Sequence, residues 1–379
     1  MGTYCVTWLR RYNKIIMYIT KETKEADAKI MKIASSFKAQ FTPLNANHIY
    51  THILKKKKNI GILGFSYAFE EVNIDTIKEK FSEVKIPSRP LRNVYKEKVK
   101  ESIDKFALIQ CRGTTEFFEA SKKVYGYPSK KLLNAAHDIL SLSPGLDHDK
   151  ITLFEAKKML KHALQEMKLP WKVTTKKMLS YAMVQTAKNT VTLSSSHSFS
   201  EKSIKRLAIH EIGTHSVRTM NGRLQPLKIF KNFPRYIQTE EGLAAFNEDI
   251  TGYLYNDTIR KYAGRVIAVD YAQNHTLLET FEYLKKYFTE QQALNIAVRI
   301  KRGLPNTESH GAFTKDYVYL QGFLDIKKYV LKKPLQLLYY GKINHTYASL
   351  IKKLEPELTP IKYYPPLLQN YERKKEIMS

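Results

Sequence analysis

The chain is poor in cysteine and has no long apolar run. Cys5 and Cys111 are its two cysteines in 379 residues, too few for a disulfide framework and consistent with a reducing compartment. No run of about 18 apolar residues occurs, which excludes a membrane-spanning helix. The apolar run at residues 15–19 is too short for a signal peptide. We therefore expect a cytoplasmic protein without a membrane span.

Acidic residues are scarce relative to basic ones. The sequence has 63 Lys and Arg against 36 Asp and Glu, a formal net charge of +27. Such a charge favours acidic partners, but the lysines are spread along the chain, and no zinc-finger, recognition-helix or aromatic RNA-binding pattern accompanies them. The one dense block, Lys55–Lys58, is predicted to be a solvated loop. We expect no nucleic-acid partner.

Helical periodicity dominates the chain. A capping box formed by Thr152 and Glu155 predicts the start of one helix. Two short runs rich in β-branched residues, at 182–184 and 190–194, predict a hairpin. Because strands are few and helices many, the predicted class is α+β, mainly α. Further helical segments are predicted at 22–40, 74–83, 242–261, 275–287, 290–301, 314–331 and 346–354, and from Arg92 onward.

The most informative stretch is His210–His215, which reads His-Glu-Ile-Gly-Thr-His. In the zinc-protease pattern His-Glu-x-x-His, the histidines are four residues apart, so both imidazoles leave one helix face and share one metal ion. Five residues on an ideal helix turn the second ring by about 140°. We therefore predict a local π-bulge, with Gly213 in the loosened turn and Ser200 or Ser203 as the helix cap. The alternative is a surface helix with two unrelated histidines.

A second, acidic segment supplies candidates for a third ligand. Residues 239–249 read Thr-Glu-Glu-Gly-Leu-Ala-Ala-Phe-Asn-Glu-Asp and predict a helix capped by Thr239. Glu241 and Glu248 are seven residues apart and therefore lie on one helix face. One carboxylate can bind metal while another orients a histidine through its second ring nitrogen. Spacing leaves Glu240, Glu241 and Glu248 open, and an acidic first turn favoured by the helix dipole explains the first two equally well.

Together these segments resemble the QEGLA-motif family, which includes the microtubule-associated tyrosine carboxypeptidases. The resemblance implies one zinc ion bound by His210, His215 and Glu241. Glu211 is then the catalytic carboxylate, and we expect Glu248 to orient a histidine. The match extends from about residue 20 to residue 365 and rests on further blocks at Gly113–Phe118, Tyr125–Pro128, Asn221–Pro226, Arg299–Gly303 and Gly311–Leu320.

The resemblance bears on the fold of the core, whereas the domain organisation is inferred from the lack of repeats, of low-complexity linkers and of a shift in composition. It implies a zincin-like metallopeptidase core with a small antiparallel sheet and many surrounding helices. We predict one compact unit, with a helical portion at 1–170 packing on a catalytic portion at 171–379. This chain has Glu240 where the bacterial motif usually has Gln, and Asn306–Thr307 where Asp-Thr is expected.

The chemistry expected of such a site assigns roles to further residues. Glu211 takes a proton from the metal-bound water and passes it to the leaving amine. Tyr319 is the candidate donor to the tetrahedral oxyanion, against the simpler interpretation of a half-buried tyrosine. A carboxypeptidase also needs a cation for the substrate's terminal carboxylate, and Arg299, Arg302 and Lys315 are the candidates. Each of them is also typical of a solvated helix charge.

Three functions are compatible with these residues. The leading hypothesis is a zinc metallocarboxypeptidase that removes a C-terminal residue, such as Tyr or another aromatic, from an acidic peptide or protein tail. The second is a zinc endopeptidase or aminopeptidase on the same scaffold. The third is a non-catalytic regulatory protein with a structural zinc site. The presence of Glu211 argues against the third, because a structural site has no need of a general base.

Overall fold

The computed structural model describes residues 17–36, 40–56, 61–145, 150–178 and 180–371. Within these ranges the chain is mainly helical with one small sheet, which confirms the predicted α+β, mainly α class. No helix in this part of the chain combines the length and the apolar character needed to cross a bilayer. The α-helices of the described residues are α1 (Lys21–Ala34), α2 (Ala46–Lys56), α3 (Ile74–Ser82), α4 (Arg92–Gln110), α5 (Phe117–Tyr125), α6 (Lys130–Leu140), α7 (Leu153–Glu166), α8 (Glu201–Leu207), α9 (Val217–Leu224), α10 (Tyr236–Ile250), α11 (Asn256–Tyr271), α12 (Leu277–Leu284), α13 (Glu290–Lys301), α14 (Val318–Tyr329) and α15 (Ala348–Leu354).

The sheet contains β1 (Lys172–Lys176), β2 (Ala182–Gln185) and β3 (Thr190–Ser194), in the order β1–β3–β2. The predicted hairpin of β2 and β3 is confirmed, with Val184 opposite Val191. β1 pairs with β3 in parallel, so the sheet is mixed rather than antiparallel. β3 lies between the other two strands and is buried at every residue, so both of its edges are paired.

Two predicted helix starts are confirmed by their capping bonds. Thr152 and Glu155 form the capping box of α7, with the Thr152 backbone N–H donating to Glu155 Oε2 at 2.7 Å. Ser200 caps α8, and its side chain accepts from the Ser203 backbone N–H at 3.0 Å. These local hydrogen bonds satisfy donors that the first turn of a helix leaves unpaired.

The acidic segment folds differently from its prediction at both ends. Thr239 is not a cap, because α10 already begins at Tyr236. Its hydroxyl instead lies 2.9 Å from His345 Nδ1. The segment predicted as one helix at 242–261 is two, since α10 ends at Ile250 and α11 begins at Asn256. A tertiary contact with His345 thus replaces the predicted cap, and a turn between α10 and α11 interrupts the predicted single helix.

Two helices, α2 and α6, go beyond the predicted set. α2 continues to Lys56, so the first half of the lysine block Lys55–Lys58 is helical rather than a loop. The second half of the block lies outside the described residues, as does Cys5. Cys111 is a free thiol at the end of α4.

One hydrophobic core runs through the described residues, from Ile19 to Leu368. Within it, α10 and α14 meet at two glycines. A Cβ atom added to Gly242 would lie 2.1 Å from the carbonyl carbon of Gly322, so the two backbones are in direct contact. This contact holds the acidic segment of α10 against α14. The division of the chain at residue 170 stays a prediction.

Candidate metal centre

The two histidines of the motif lie on a π-helix, Ala208–Ser216, which joins α8 to α9. The predicted loosening of the helix is confirmed, and it extends over nine residues. In a π-helix each backbone N–H bonds to a carbonyl five residues earlier, so residues five apart lie nearly above one another. Thr214 Oγ1 reinforces this spacing by donating to the Ile209 carbonyl at 3.1 Å.

His210, His215 and Glu241 come together in one cluster. The imidazole centroids are 4.8 Å apart, with the ring planes at 83°. Glu241 Oε2 lies 3.7 Å from Nε2 of each histidine. One ligand atom from each of the three residues lies within 4.8 Å of the others. Two imidazole nitrogens and a carboxylate oxygen form a donor set that suits a catalytic zinc ion.

The other ring nitrogen of each histidine faces a second carboxylate. His210 Nδ1 lies 2.7 Å from Glu248 Oε1. His215 Nδ1 lies 2.8 Å from Glu240 Oε1. These bonds turn both Nε2 atoms towards Glu241, an arrangement typical of metal-binding histidines. The three glutamates that spacing left open thus occupy three distinct places in the structure.

Both orienting carboxylates are themselves paired with cations. Arg206 Nη1 lies 2.9 Å from Glu248 Oε1. Glu240 contacts the fully buried Arg218 and lies 3.0 Å from Lys342 Nζ. Sequence reasoning gave Arg218 only as a weaker candidate for binding the substrate carboxylate, whereas the structure pairs it with Glu240. Lys342 was given no role, because it is too distant along the chain for spacing to reveal it. These cations fix the carboxylates of Glu240 and Glu248, which cannot turn away from the imidazoles without breaking buried ion pairs.

The electrostatics of the cluster favour a bound positive charge. Burial disfavours the Glu241 carboxylate, but the adjacent imidazoles of His210 and His215 outweigh it and lower the pKa of Glu241 to about 2. Burial also opposes protonation of His210, but Glu241 and Glu248 outweigh it and raise the pKa of His210 to about 10. Glu241 Oε2 is buried and accepts no hydrogen bond from the described residues. An ion coordinated by both rings and this oxygen would satisfy it.

Glu211 lies next to His210 on the π-helix and is half-buried. Its charge contributes to the raised pKa of His210, so the carboxylate is close to the cluster. The Glu211 backbone carbonyl accepts a hydrogen bond from Ser216 Oγ at 2.7 Å, which fixes the local main chain. The carboxylate is thus available beside the candidate ligands without being one of them.

Tyr319 and Lys315 lie four residues apart, on α14 and on the short 3-10 helix that precedes it. Burial, with the charge of Glu241 as the next cause, raises the pKa of Tyr319 above its ordinary value. Its hydroxyl therefore keeps its proton at neutral pH. Burial lowers the pKa of Lys315, and the charge of Glu241 opposes that shift. The charge of Glu241 thus acts on both predicted residues.

Arg299 and Arg302 share one buried carboxylate, Asp316. Arg299 forms a two-pronged pair, with Nε 2.6 Å and Nη2 2.8 Å from the two oxygens. Arg302 Nη2 lies 3.3 Å from Asp316 Oδ2. Burial would raise the pKa of Asp316, but Arg299 and Arg302 outweigh it and hold the pKa below its ordinary value. The predicted substrate-binding arginines are therefore anchored through an acid that sequence reasoning did not single out.

A cleft of about 610 Å³ opens beside these arginines. Its lysine and arginines come from α11, from α13 and from Arg302, which directly follows α13, and Tyr50, Tyr181 and His197 line other parts of it. Arg265 of α11 also lines the cleft, with its guanidinium 4.5 Å from the ring centroid of Tyr319. Sequence reasoning missed Arg265. The residues that line the cleft are Thr42, Pro43, Leu44, Ala46, Asn47, Tyr50, Ser180, Tyr181, His197, Lys261, Arg265, Gln291, Gln292, Asn295, Ile296, Val298, Arg299 and Arg302.

The fold and the donor set define a mainly helical protein with a candidate His–His–Glu metal centre. A sequence model of the family described as "Microtubule-associated tyrosine carboxypeptidase" matches residues 56–379, and the chain therefore belongs to that family. The resemblance inferred from the motifs is confirmed.

Curated relatives agree with the family assignment. The chain is 30% identical over 146 residues to "Microtubule-associated tyrosine carboxypeptidase 1" of Rattus norvegicus, which covers 36% of this chain and 30% of the relative. It is 29% identical over 177 residues to "Putative tyrosine carboxypeptidase MATCAP2" of Homo sapiens, which covers 44% of this chain and 33% of the relative. The matched region thus spans about a third of the length of these relatives.

Proposed function

We propose that this protein is a zinc-dependent carboxypeptidase that removes a C-terminal residue from an acidic peptide or protein tail. The observation that carries the proposal is the position of Glu241 Oε2, 3.7 Å from both His210 Nε2 and His215 Nε2. Membership of a family described as tyrosine carboxypeptidases supports the reaction type. We further propose a cytoplasmic setting, which the scarcity of cysteine supports.

One zinc ion would be held by His210, His215 and Glu241. When bound, zinc supplies Lewis acidity towards the scissile carbonyl and lowers the pKa of a bound water to about 7. Glu240 and Glu248 keep the two imidazoles oriented through their Nδ1 atoms. No other ligand is required for a catalytic site, because such sites keep one position open.

Glu211 and Tyr319 have the proposed catalytic roles. Glu211 accepts a proton from the attacking water and returns it to the leaving amine. Tyr319 keeps its hydroxyl proton at neutral pH and donates a hydrogen bond to the developing oxyanion. The charge of Glu211 contributes to the raised pKa of His210, and the charge of Glu241 contributes to the raised pKa of Tyr319.

The positive charge beside the cluster supports an anionic substrate. Arg299, Arg302 and Lys315 carry three charges near Asp316, which carries one, and the neighbouring cleft has no acidic lining residue among the described residues. We propose that this excess recognises the terminal carboxylate or neighbouring acids of the substrate. The tyrosines and His197 of the cleft suit an aromatic C-terminal residue such as Tyr.

The test is cleavage of an acidic peptide that ends in Tyr, read by mass spectrometry. The free-acid peptide should lose its terminal residue, and a chelator should abolish the loss. Amidation of the same peptide removes the terminal charge but leaves the scissile bond intact, so cleavage should fall steeply. Equal cleavage of both forms contradicts a carboxypeptidase and supports an endopeptidase. Bound zinc with no cleavage of any peptide supports a non-catalytic zinc protein.

A further inference from the structure

We infer that Arg265, rather than an arginine of α13, directly pairs with the terminal carboxylate of the substrate. This inference rests on the proposed carboxypeptidase function and adds a specificity-determining residue to it. Four cations line the cleft, and they differ in the hydrogen-bonding capacity that each has left for an anion. Those cations are Lys261, Arg265, Arg299 and Arg302.

Three of the four cations are already engaged with acids. Lys261 Nζ bonds Asp257, one turn earlier on α11. Arg299 directs the Nε and Nη2 fork of its guanidinium at Asp316. Arg302 also bonds Asp316, and its Nε donates to the Arg299 carbonyl at 2.8 Å. The forked edge that best matches a carboxylate is therefore occupied in Arg299.

Arg265 is in the opposite situation. Its Nε is buried and has no hydrogen-bond partner in the described residues, and no carboxylate of those residues forms a salt bridge with it. The guanidinium packs 4.5 Å from the ring centroid of Tyr319 and 5.4 Å from that of Tyr262. The two rings, stacked on each other at 5.3 Å, fix the group by cation–π contact without using any of its donors.

The position of Arg265 also suits a terminal carboxylate. Its partner ring, Tyr319, is near enough to Glu241 for that charge to act on the tyrosine hydroxyl. Arg265 thus packs on the ring of the proposed oxyanion donor and also lines the cleft. A buried donor without a partner is unfavourable, and a substrate carboxylate accepting from the guanidinium would relieve it. A forked guanidinium suits a carboxylate better than an ammonium does.

Binding can be measured apart from hydrolysis with a fluorescent acidic peptide, in free-acid and amidated forms, on the Glu211→Gln protein. We expect the free acid to bind at least about 30-fold more tightly than the amide. Arg265→Gln should remove that preference by weakening the free acid alone. Arg265→Lys keeps the charge but loses the fork, and it should retain only part of the preference.

Lys261→Gln is the matched control, because it removes one positive charge from the same helix and the same cleft. It should weaken both peptides by a similar small factor and keep the preference. Zinc content and thermal unfolding confirm that each variant is folded. An undiminished free-acid preference in both Arg265 variants, or an equal loss for both peptides, overturns the assignment.

Cleavage by the unmodified protein reports separately on the proposed function. If it removes the C-terminal residue while Arg265→Gln keeps the binding preference, only the Arg265 assignment is wrong. If it cleaves no peptide, the proposed function is wrong, and the binding ratio still decides whether Arg265 pairs with a carboxylate.

Discussion

The metal cluster and the cationic cleft satisfy their charges in opposite ways. In the cluster, Glu240 and Glu248 each bond a histidine and at least one cation, and two buried carboxylate oxygens, Glu241 Oε2 and Glu248 Oε2, have no hydrogen-bond partner among the described residues. Beside the cationic cleft, Asp316 pairs with Arg299 and Arg302. The buried atom there without a hydrogen-bond partner among the described residues is the Nε donor of Arg265. The first region lacks a cation and the second lacks an anion.

This difference indicates how the two regions divide their work. Buried polar groups are almost always paired, so each exception needs an explanation. A metal ion would complete the first region, and a substrate carboxylate would complete the second. Tyr319 links them, because it is near Glu241 and also supports the guanidinium of Arg265. Variants that change one region and leave the other intact therefore separate metal binding from the stability and substrate binding of the cleft.

The largest effect is expected from removing both histidines of the cluster. His210→Ala combined with His215→Ala deletes two of the three candidate ligands, so stoichiometric zinc binding should be lost. Metal analysis of the purified protein measures it. His162→Ala, an exposed histidine on α7, is the control and should keep its zinc. Undiminished zinc in the double variant contradicts the assignment.

The next largest effect is expected from Glu211→Gln. The change removes the proposed base but none of the ligands, so zinc and fold should remain while turnover falls by roughly two to four orders of magnitude. Steady-state peptide cleavage and metal content measure the two quantities. Glu201→Gln, at an exposed site paired with Lys205, should cleave at the normal rate. A normal rate in the Glu211 variant points to another base.

Beside the cationic cleft, Asp316→Asn should lower the free energy of unfolding and leave zinc binding unchanged. The fully buried Asp316 pairs with Arg299 and Arg302, so the change leaves two arginines without their acid. Because both arginines keep some solvent contact, we expect a loss of about 3 kcal/mol in the free energy of unfolding. Urea denaturation measures it. Asp257→Asn breaks the more exposed pair with Lys261 and should cost about 1 kcal/mol or less.

The smallest effect is expected from Glu240→Gln, which introduces the residue that the bacterial motif carries. The amide oxygen can still accept from His215 Nδ1, but the charge that balances Arg218 and Lys342 is lost. Metal affinity should fall by about 10-fold to 100-fold. Competition with a chelator measures it, with the exposed Glu119→Gln as the control. Unchanged affinity would mean that the hydrogen bond alone orients the ring.

The sequence predicts the candidate metal ligands better than the cations that hold the orienting glutamates in place. The extra residue between His210 and His215 predicts the π-helix, because two ligands on one ordinary helix require the shorter spacing. Spacing could not assign Glu240, Glu241 and Glu248, since all three share a short acidic segment, and the resemblance was needed to select the ligand. The cations behind Glu240 depend on tertiary packing, and no local pattern marks them.

In the fold, too, local features could be predicted from the sequence, whereas tertiary contacts could not. The capping box of α7 is local and is confirmed, whereas the apparent cap Thr239 has a tertiary partner in His345. α6 carried a signal, since Ser129 caps it and its buried residues recur at helical spacing. No sequence signal marks the parallel pairing of β1 with β3, because the alternation of apolar and polar residues along a strand does not specify which strands lie beside it.

Gly242, next to Glu241 on α10, is in direct backbone contact with Gly322 on α14. The main chain alone therefore sets the spacing between the two helices at this point. Where the two helices touch, Cβ atoms are absent, so the gap between α10 and α14 cannot shrink and is not adjusted by any side chain. A methyl group at either glycine would act as a wedge and separate Glu241 from the start of α14. Side chains that line the cleft can therefore be exchanged without altering the spacing between α10 and α14 at this contact.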